Sequence, residues 1–146
     1  MDIDFVVIAD AAVAANGKLY IHGAGWDALY GTSFPLTYTF AVALRLRVPY
    51  HDTNQQHQVT MDIQDQDGQS ILPSGPVGGG MIAGRPPQLE AGADQVICLA
   101  ITLGGLVFPG PGTYALQTLV DGTERNRQTF FVRQVAAPQV IQGFAA

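Results

Sequence analysis

The chain has 146 residues, of which 47% are hydrophobic and 13% are charged, and its formal net charge is −5. This length and apolar content exclude a disordered chain and predict a single domain over residues 1–146 with one hydrophobic core. The seven Lys and Arg residues form no basic patch, which argues against nucleic acid as a partner because phosphate binding depends on such residues. The longest apolar stretches, Phe5–Ala9 and Val96–Ile101, are much shorter than the roughly 20 residues of a membrane-spanning helix, so we expect no membrane partner.

The N-terminal segment is predicted to be the first strand. Phe5–Ala15 is apolar and resembles the core of a signal peptide, but Asp2 and Asp4 precede it, where a signal peptide carries positive charge. We therefore expect a cytoplasmic location by default, with association with a virus particle left open. Asn16-Gly17 follows this run and precedes Leu19–Ile21, and this dipeptide between two apolar runs is typical of a tight β-hairpin turn.

The strongest periodicity lies between Leu36 and Val48. Large apolar side chains occupy every even position, and alanine, threonine or arginine occupies every odd position. Because successive side chains on a strand point to opposite faces, this segment is predicted to be a strand with one apolar face. Apart from Arg45 and Arg47 the odd face is uncharged, and we expect that it can accept another sheet.

The middle of the chain contains shorter predicted strands. Gln58–Gln64 alternates polar and apolar residues, and Asp67-Gly68 supplies a turn after it. The stretch Pro73–Gly92, dense in proline and glycine, is interpreted either as a long functional loop or as an edge strand over Val77–Ala83 between two loops. Val96–Leu103 is apolar on both faces and is predicted to be a central strand covered on both sides.

A closing hairpin is predicted from Tyr114–Val120, the turn Asp121-Gly122 and Thr129–Arg133. About eight short strands separated by turn residues predict an all-β fold, namely a single-domain, two-sheet antiparallel β-sandwich of immunoglobulin-like architecture. The chain has one cysteine and no Cys–Trp–Cys framework, so the immunoglobulin likeness concerns architecture only.

Short motifs occur along nearly the whole chain. In order they are Ala9-Asp10, Gly17-Lys18-Leu19, Gly23-Ala24-Gly25-Trp26, Val48-Pro49, Thr53-Asn54, His57, Asp65-Gln66-Asp67-Gly68, Gly84-Arg85-Pro86-Pro87, Gly112-Thr113-Tyr114 and Asp121-Gly122. This series resembles an uncharacterised family of small, actinobacterial-type bacterial proteins that is known as a domain of unknown function. The resemblance implies no activity, cofactor or site.

Two clusters have a composition that could bind a metal ion. His51, Asp52 and His57 lie close together in sequence, but a zinc site needs three or four converging ligands and a structural loop is favoured. The aspartates of Asp62–Asp67 lack the spacing of a calcium-binding loop. Cys98 lies in an apolar run and is interpreted as a buried small hydrophobic residue. We therefore predict no catalytic residue, no metal and no cofactor.

Trp26, Tyr30, Tyr50 and Arg85 are the candidates for a contact surface, because Trp, Tyr and Arg are enriched at interface hot spots. For Trp26, burial at one end of the core is the favoured alternative. The leading hypothesis is a non-catalytic sandwich that binds protein, including other copies of itself. Two alternatives stay open: a small-ligand or carbohydrate-binding module at one end of the sandwich, and a metal-dependent enzyme that uses His51, Asp52 and His57.

Overall fold

The structure, a computed structural model, describes residues 1–137. Within these residues the chain forms nine strands and a single 3-10 turn at Tyr50–Asp52. The strands are β1 (Asp2–Ala15), β2 (Lys18–Ala24), β3 (Ala28–Gly31), β4 (Leu36–Val48), β5 (Gln56–Gln64), β6 (Val77–Ile82), β7 (Gln95–Phe108), β8 (Gly112–Val120) and β9 (Thr123–Gln134). No helix in this part of the chain has the length and apolar composition needed to cross a membrane.

The nine strands form two sheets. One has the order β2-β1-β4-β7 and the other has the order β3-β9-β8-β5-β6. The predicted two-sheet sandwich is confirmed, with nine described strands where about eight were expected. In the described residues, neighbouring strands are antiparallel except β3, which runs parallel to β9 beside Phe131–Gln134. The sequence analysis missed β3 because its four residues are too few to show an alternation.

The core is built on β4. Its even side chains point toward the second sheet, and Phe40, Val42, Leu44 and Leu46 have no exposed surface. Burial of each such side chain contributes about 1.5–3 kcal/mol before conformational entropy is included. The alternation along this strand therefore sets which face of the first sheet is internal.

The opposite face of β4 is partly closed within the chain itself. Ala41 and Ala43 also have no exposed surface, although they point away from the apolar face. Ala41 is paired with Ala9 of β1 on one side and Thr102 of β7 on the other. The side chains of Ala41 and Ala43 are therefore inaccessible on this face, and its ability to accept another sheet stays a prediction.

Two hairpin turns follow the sequence prediction. Asn16 and Gly17 have φ values of 53° and 74°, and Asp121 and Gly122 have φ values of 52° and 80°. Two successive residues with positive φ are required by a type I′ turn, whose twist matches that of the flanking strands. The β1–β2 and β8–β9 hairpins are therefore confirmed with their turns at the predicted residues, and β9 begins at Thr123 rather than at Thr129.

An aromatic group packs at the end of the core where β7 leads into β8. The Phe108 ring meets Tyr114 edge to face with the ring centroids 5.0 Å apart, and Tyr114 stacks on Phe130. The Tyr114 hydroxyl donates a hydrogen bond of 2.7 Å to the carbonyl of Gly110. A tyrosine bonded to the backbone a few residues upstream also occurs at the corner of immunoglobulin-like sandwiches.

β7 differs most from the prediction. It is the edge strand of the first sheet, paired with β4 from Gln95 to Phe108, so the prediction of a central strand covered on both sides is wrong. A strand that is covered on both faces appears in the sequence as a run of apolar residues. An edge strand such as β7 can contain the same kind of run, so the pattern does not show whether a strand has one neighbour or two. Cys98 of this strand is half-buried rather than buried.

β6 resolves the two interpretations of the Pro73–Gly92 stretch. Its residues Val77–Ile82 pair with β5, and β6 is the edge strand of the second sheet. The interpretation as an edge strand between two loops is therefore confirmed. Gly78, with a φ of 146°, allows the close approach, because a Cβ atom there would lie 2.1 Å from the carbonyl oxygen of Val59.

Candidate functional site

His57 lies at the centre of a polar cluster beyond the end of β4. The ring is 6% exposed, and both of its nitrogens have partners. Nδ1 lies 2.8 Å from a carboxylate oxygen of Asp121, and Nε2 lies 2.7 Å from the backbone carbonyl of Asp52. A carbonyl and a carboxylate can only accept hydrogen bonds, so both contacts are satisfied together when each ring nitrogen is protonated and the imidazole is positively charged.

The electrostatics of this pair support the charged ring. The hydrogen bond to Asp121, followed by the bond to the Asp52 carbonyl, raises the pKa of His57 above its ordinary value. The bond from His57 in turn lowers the pKa of Asp121. A histidine that donates from both nitrogens has no lone pair for a metal ion or for proton abstraction.

The other members of the predicted metal cluster are also occupied or solvent-facing. The Asp52 carboxylate lies 2.6 Å from the amino group of Met1, and this hydrogen bond lowers the pKa of Asp52. The His51 side chain is 81% exposed, and its Nε2 is 3.6 Å from Asp52. Among residues 1–137, no three His, Cys, Asp or Glu side chains converge as metal ligands. This geometry gives no support to the metal-enzyme alternative.

Tyr50 and Arg85, two of the predicted contact residues, are brought together. The Arg85 guanidinium lies over the Tyr50 ring, 3.9 Å from its centroid. Its Nε donates to the Thr53 hydroxyl at 2.5 Å and its Nη2 donates to the Tyr50 carbonyl at 3.3 Å. Arg85 therefore covers one face of the Tyr50 ring and is held in place by hydrogen bonds. These contacts join the loop after β4 to the segment after β6, which indicates that Tyr50 and Arg85 stabilise the fold there.

Trp26 and Tyr30 lie elsewhere. Trp26 is half-buried and meets the Phe40 ring edge to face, with the centroids 5.7 Å apart. Phe40 and Val48 are eight residues apart on β4, or about 26 Å, so Trp26 and Tyr50 lie toward opposite ends of the sandwich. Tyr30 is 59% exposed on β3. The four predicted contact residues therefore do not form one surface.

The aspartates after β5 stabilise a turn. Asp65 accepts hydrogen bonds from the backbone N–H groups of Asp67 and Gln69 through one carboxylate oxygen. Asp62 is buried and accepts a hydrogen bond of 2.5 Å from the Ser70 hydroxyl. These bonds account for the carboxylates of Asp62 and Asp65 as groups that stabilise the chain around the predicted Asp67-Gly68 turn.

One side of the sandwich is open. β6 and β7 are edge strands there, and within the described part of the chain no backbone hydrogen bond joins the outer edge of either strand to another segment. Six apolar side chains on this side are only partly buried against the core: Ile71, Val77, Met81, Ile97, Leu99 and Ile101. We refer to the two edge strands and these six side chains as the open side.

A cleft of about 380 Å³ lies within the open side. Residues 71–75 and Val77 form one wall, and residues 101–107 of β7 form the other. The lining is mostly aliphatic and includes no aromatic residue. None of the four predicted contact residues lies in this cleft. The sequence signal that could have indicated it is the absence of charged residues from Gln95 to Phe108, a stretch of fourteen residues.

Comparison with known proteins shows the family. The model of DUF6941, a family of unknown function, matches residues 4–133. The chain belongs to DUF6941. The sequence-based resemblance to an uncharacterised family is thereby confirmed, and no curated protein matches the chain.

One solved structure similar to this DUF6941 chain is Pseudomonas fluorescens alkylpurine DNA glycosylase AlkC bound to DNA containing an abasic site analog. It is 15% identical, with a TM-score of 0.39, over 88% of this chain and 30% of that one. The chain thus spans less than a third of the glycosylase. The region matched to DUF6941 contains the His57–Asp121 pair and the whole open side.

Proposed function

We propose that this DUF6941 protein is a non-catalytic protein-binding module, and that its binding surface is the open side. The observation that carries this proposal is β7, a strand of fourteen residues without a charged side chain, whose outer edge has no backbone partner among residues 1–137. In this proposal an extended segment of a protein partner pairs with β7.

The physical argument starts from the backbone. An edge strand presents a row of unpaired N–H and C=O groups, which an extended chain satisfies by adding one more strand. Proteins that avoid such pairing use short edges, lysine, proline or inward-pointing charges. β7 is long and contains no Lys or Pro, but its pairing with β4 is irregular between Leu103 and Leu106, so its regular edge is Gln95–Leu103.

The cleft adds apolar contacts to the backbone pairing. Every second side chain of an added strand points toward the core layer, where Leu99 and Ile101 are only partly covered. Burial of such surface contributes about 25 cal/mol per Å² of apolar area removed from water. We therefore infer that the preferred segment carries aliphatic side chains at alternating positions.

The small-ligand alternative has one observation in its favour, which is the size of the cleft. A volume of about 380 Å³ falls within the range of about 300–1,000 Å³ that is typical of ligand pockets. A carbohydrate would need an aromatic stacking platform, and the lining offers none. A small aliphatic ligand would bind independently of backbone pairing, and this difference makes the two functions separable.

The test uses a labelled peptide of alternating valine and threonine and measures its binding by fluorescence anisotropy. Binding is measured at chain concentrations low enough that any protein already paired with β7 has dissociated. Under these conditions we expect the peptide to bind the wild-type chain, and we expect Val107→Lys to weaken binding about tenfold or more, or about 1.4 kcal/mol, because Val107 is 46% exposed on β7 and lines the cleft. Val13→Lys is the matched control, since Val13 is 59% exposed on β1.

A second peptide tests the backbone hydrogen bonds directly. N-methylation at alternate residues removes the N–H donors along one edge of the peptide and leaves its side chains unchanged. We expect the methylated peptide to lose binding. Equal binding of both peptides, or equal weakening by Val13→Lys and Val107→Lys, would contradict strand addition at β7.

A further inference from the structure

We infer that the partner that covers the open side is a second copy of this chain, with the two β7 strands paired antiparallel about a two-fold axis. This inference rests on the proposed function of the open side as a strand-pairing surface. The two copies would join their first sheets into one continuous sheet of eight strands, in the order β2-β1-β4-β7-β7-β4-β1-β2.

The charge distribution permits this pairing. The chain has 7 Lys and Arg residues and 12 Asp and Glu residues, or 19 charged residues in all, and none of the 19 lies in β6 or β7. Two molecules with a net charge of −5 repel each other, but the paired strands themselves oppose no like charges. The repulsion thus comes from residues outside β6 and β7.

The shape of the open side favours a second copy over a single foreign strand. A foreign strand on β7 would leave the edge of β6, and with it Val77 and Met81, uncovered. A two-fold axis perpendicular to the first sheet places the β7 strands of the two copies next to each other. It also keeps the core-facing side chains of both strands on the same face of the joined sheet. The same axis also brings the β6 strands of the two copies to the interface. The partly buried apolar side chains of one copy then contact the same side chains of the other copy.

Two structural details are consistent with close approach at this side. The regular part of β7, from Gln95 to Leu103, is nine residues long, or about 30 Å at about 3.3 Å per residue, which provides a long pairing edge. On β6, Gly78, Gly79 and Gly80 have no side chains that would hold a neighbouring molecule away.

The other strand edges are poorer candidates. β2 begins with Lys18 and includes His22, and a basic residue on an edge strand discourages pairing with another sheet. β3 has only four residues. Among the strands of residues 1–137, β7 is therefore the long edge without charge, and a homodimer is the assembly that covers that edge in both copies at once.

The first experiment measures mass in solution by sedimentation equilibrium over a hundredfold range of concentration. We expect the wild-type chain to be a dimer, and we expect Val96→Lys and Val107→Lys to raise the dissociation constant at least about tenfold, because each places a charge on β7. Val96 and Val107 are 38% and 46% exposed, so these variants are expected to fold. Val13→Lys, on an exposed valine away from β7, is expected to keep the wild-type constant.

The second experiment locates the axis. In a chain that carries Cys98→Ser, single cysteines are introduced at Val96, Ala100 and Thr102, which share one face of β7, and the unmodified chain supplies position 98. In an antiparallel pair about a two-fold axis, a residue lies opposite its own equivalent only near the axis. We expect disulfide crosslinking to peak at one position, or at two neighbouring positions, and to be absent for Val13→Cys.

The outcomes separate this inference from the proposed function. A wild-type chain that is monomeric over the whole range but binds the alternating peptide overturns the homodimer and leaves strand addition by a foreign partner. A monomer that does not bind the peptide overturns both. A dimer that Val96→Lys and Val107→Lys leave intact, or that crosslinks equally at all positions of β7, overturns the proposed pairing of β7 strands.

Discussion

His57 shows how the neighbours of one residue determine its chemistry. In the sequence, His51, Asp52 and His57 look like potential metal ligands, and their spacing alone does not distinguish a metal site from a hydrogen-bonded loop. In the structure, the ring of His57 donates to Asp121, which is 64 residues away in the sequence. A partner at that distance produces no local sequence signal, so the role of His57 could not have been predicted from the chain around it.

The charged state of His57 predicts a pH dependence of stability. The folded-state pKa of His57 is raised by its bond to Asp121, so its contribution is complete below the unfolded value of about 6.5 and is lost as the pH rises through the raised value. The folded-state pKa of Asp121 is lowered by the same bond, so its contribution is present above the unfolded value of about 4 and is lost in acid. The pair therefore stabilises the fold most between about pH 4 and about pH 6.5.

Urea unfolding at about pH 6 and about pH 8.5 measures this contribution. We expect the wild-type chain to lose stability between the two values, and we expect His57→Gln to be less stable at about pH 6, by roughly 1–3 kcal/mol, and to show a smaller pH dependence. His51→Gln is the control, because the His51 side chain is 81% exposed. If His57→Gln retained the wild-type pH dependence, the ring would not be the titrating group.

At the scale of elements, the sequence predicted strands well and their neighbours poorly. The alternation of β4 and the Asn16-Gly17 and Asp121-Gly122 turns are local signals, and all three were confirmed. The position of β7 in its sheet depends on contacts far away in the chain, and a strand without charges fits both a covered centre and a bare edge. The absence of charged residues in β7 indicated an apolar surface there, but it did not show whether another part of the same chain covers that surface.

The edge strand β6 depends on one glycine. A Cβ atom at Gly78 would lie 2.1 Å from the Val59 carbonyl oxygen, and the φ of 146° disfavours any other residue there. We expect Gly78→Ala to separate β6 from β5 and to lower the free energy of unfolding by about 1–3 kcal/mol. Gly79→Ala is the matched control, because a Cβ atom there has no neighbour within 4 Å, and its effect is expected to stay within about 0.5 kcal/mol.

Urea unfolding measures both glycine variants, and hydrogen exchange locates the change. Faster exchange in Gly78→Ala is expected at the amides of β6 and in the part of β5 that pairs with it, from Gln56 to Met61. Equal stability of the two variants would show that the close approach of β6 to Val59 is not required.

At the scale of the whole molecule, the space between the two sheets is covered to different extents at different places. The group of Phe108, Tyr114 and Phe130 fills one end of the core, and the hydrogen-bonded His57 cluster covers a region beyond β4. The open side leaves aliphatic side chains partly exposed along two strand edges. An isolated sandwich with this opening lacks contacts that a second molecule would supply, so its stability is expected to depend on association.

This dependence predicts a melting temperature that rises with protein concentration. A ligand or subunit that binds only the folded state stabilises it by mass action, so a dimer becomes harder to unfold as the chain becomes more concentrated. We expect the wild-type melting temperature to increase over a hundredfold range of concentration, and we expect that of Val107→Lys to be lower and to increase less over the same range. Val13→Lys should follow the wild-type chain, because Val13 lies outside the open side. A constant melting temperature for the wild-type chain would mean that the sandwich is stable alone, and the partly exposed side chains of β7 would then need no second copy to cover them.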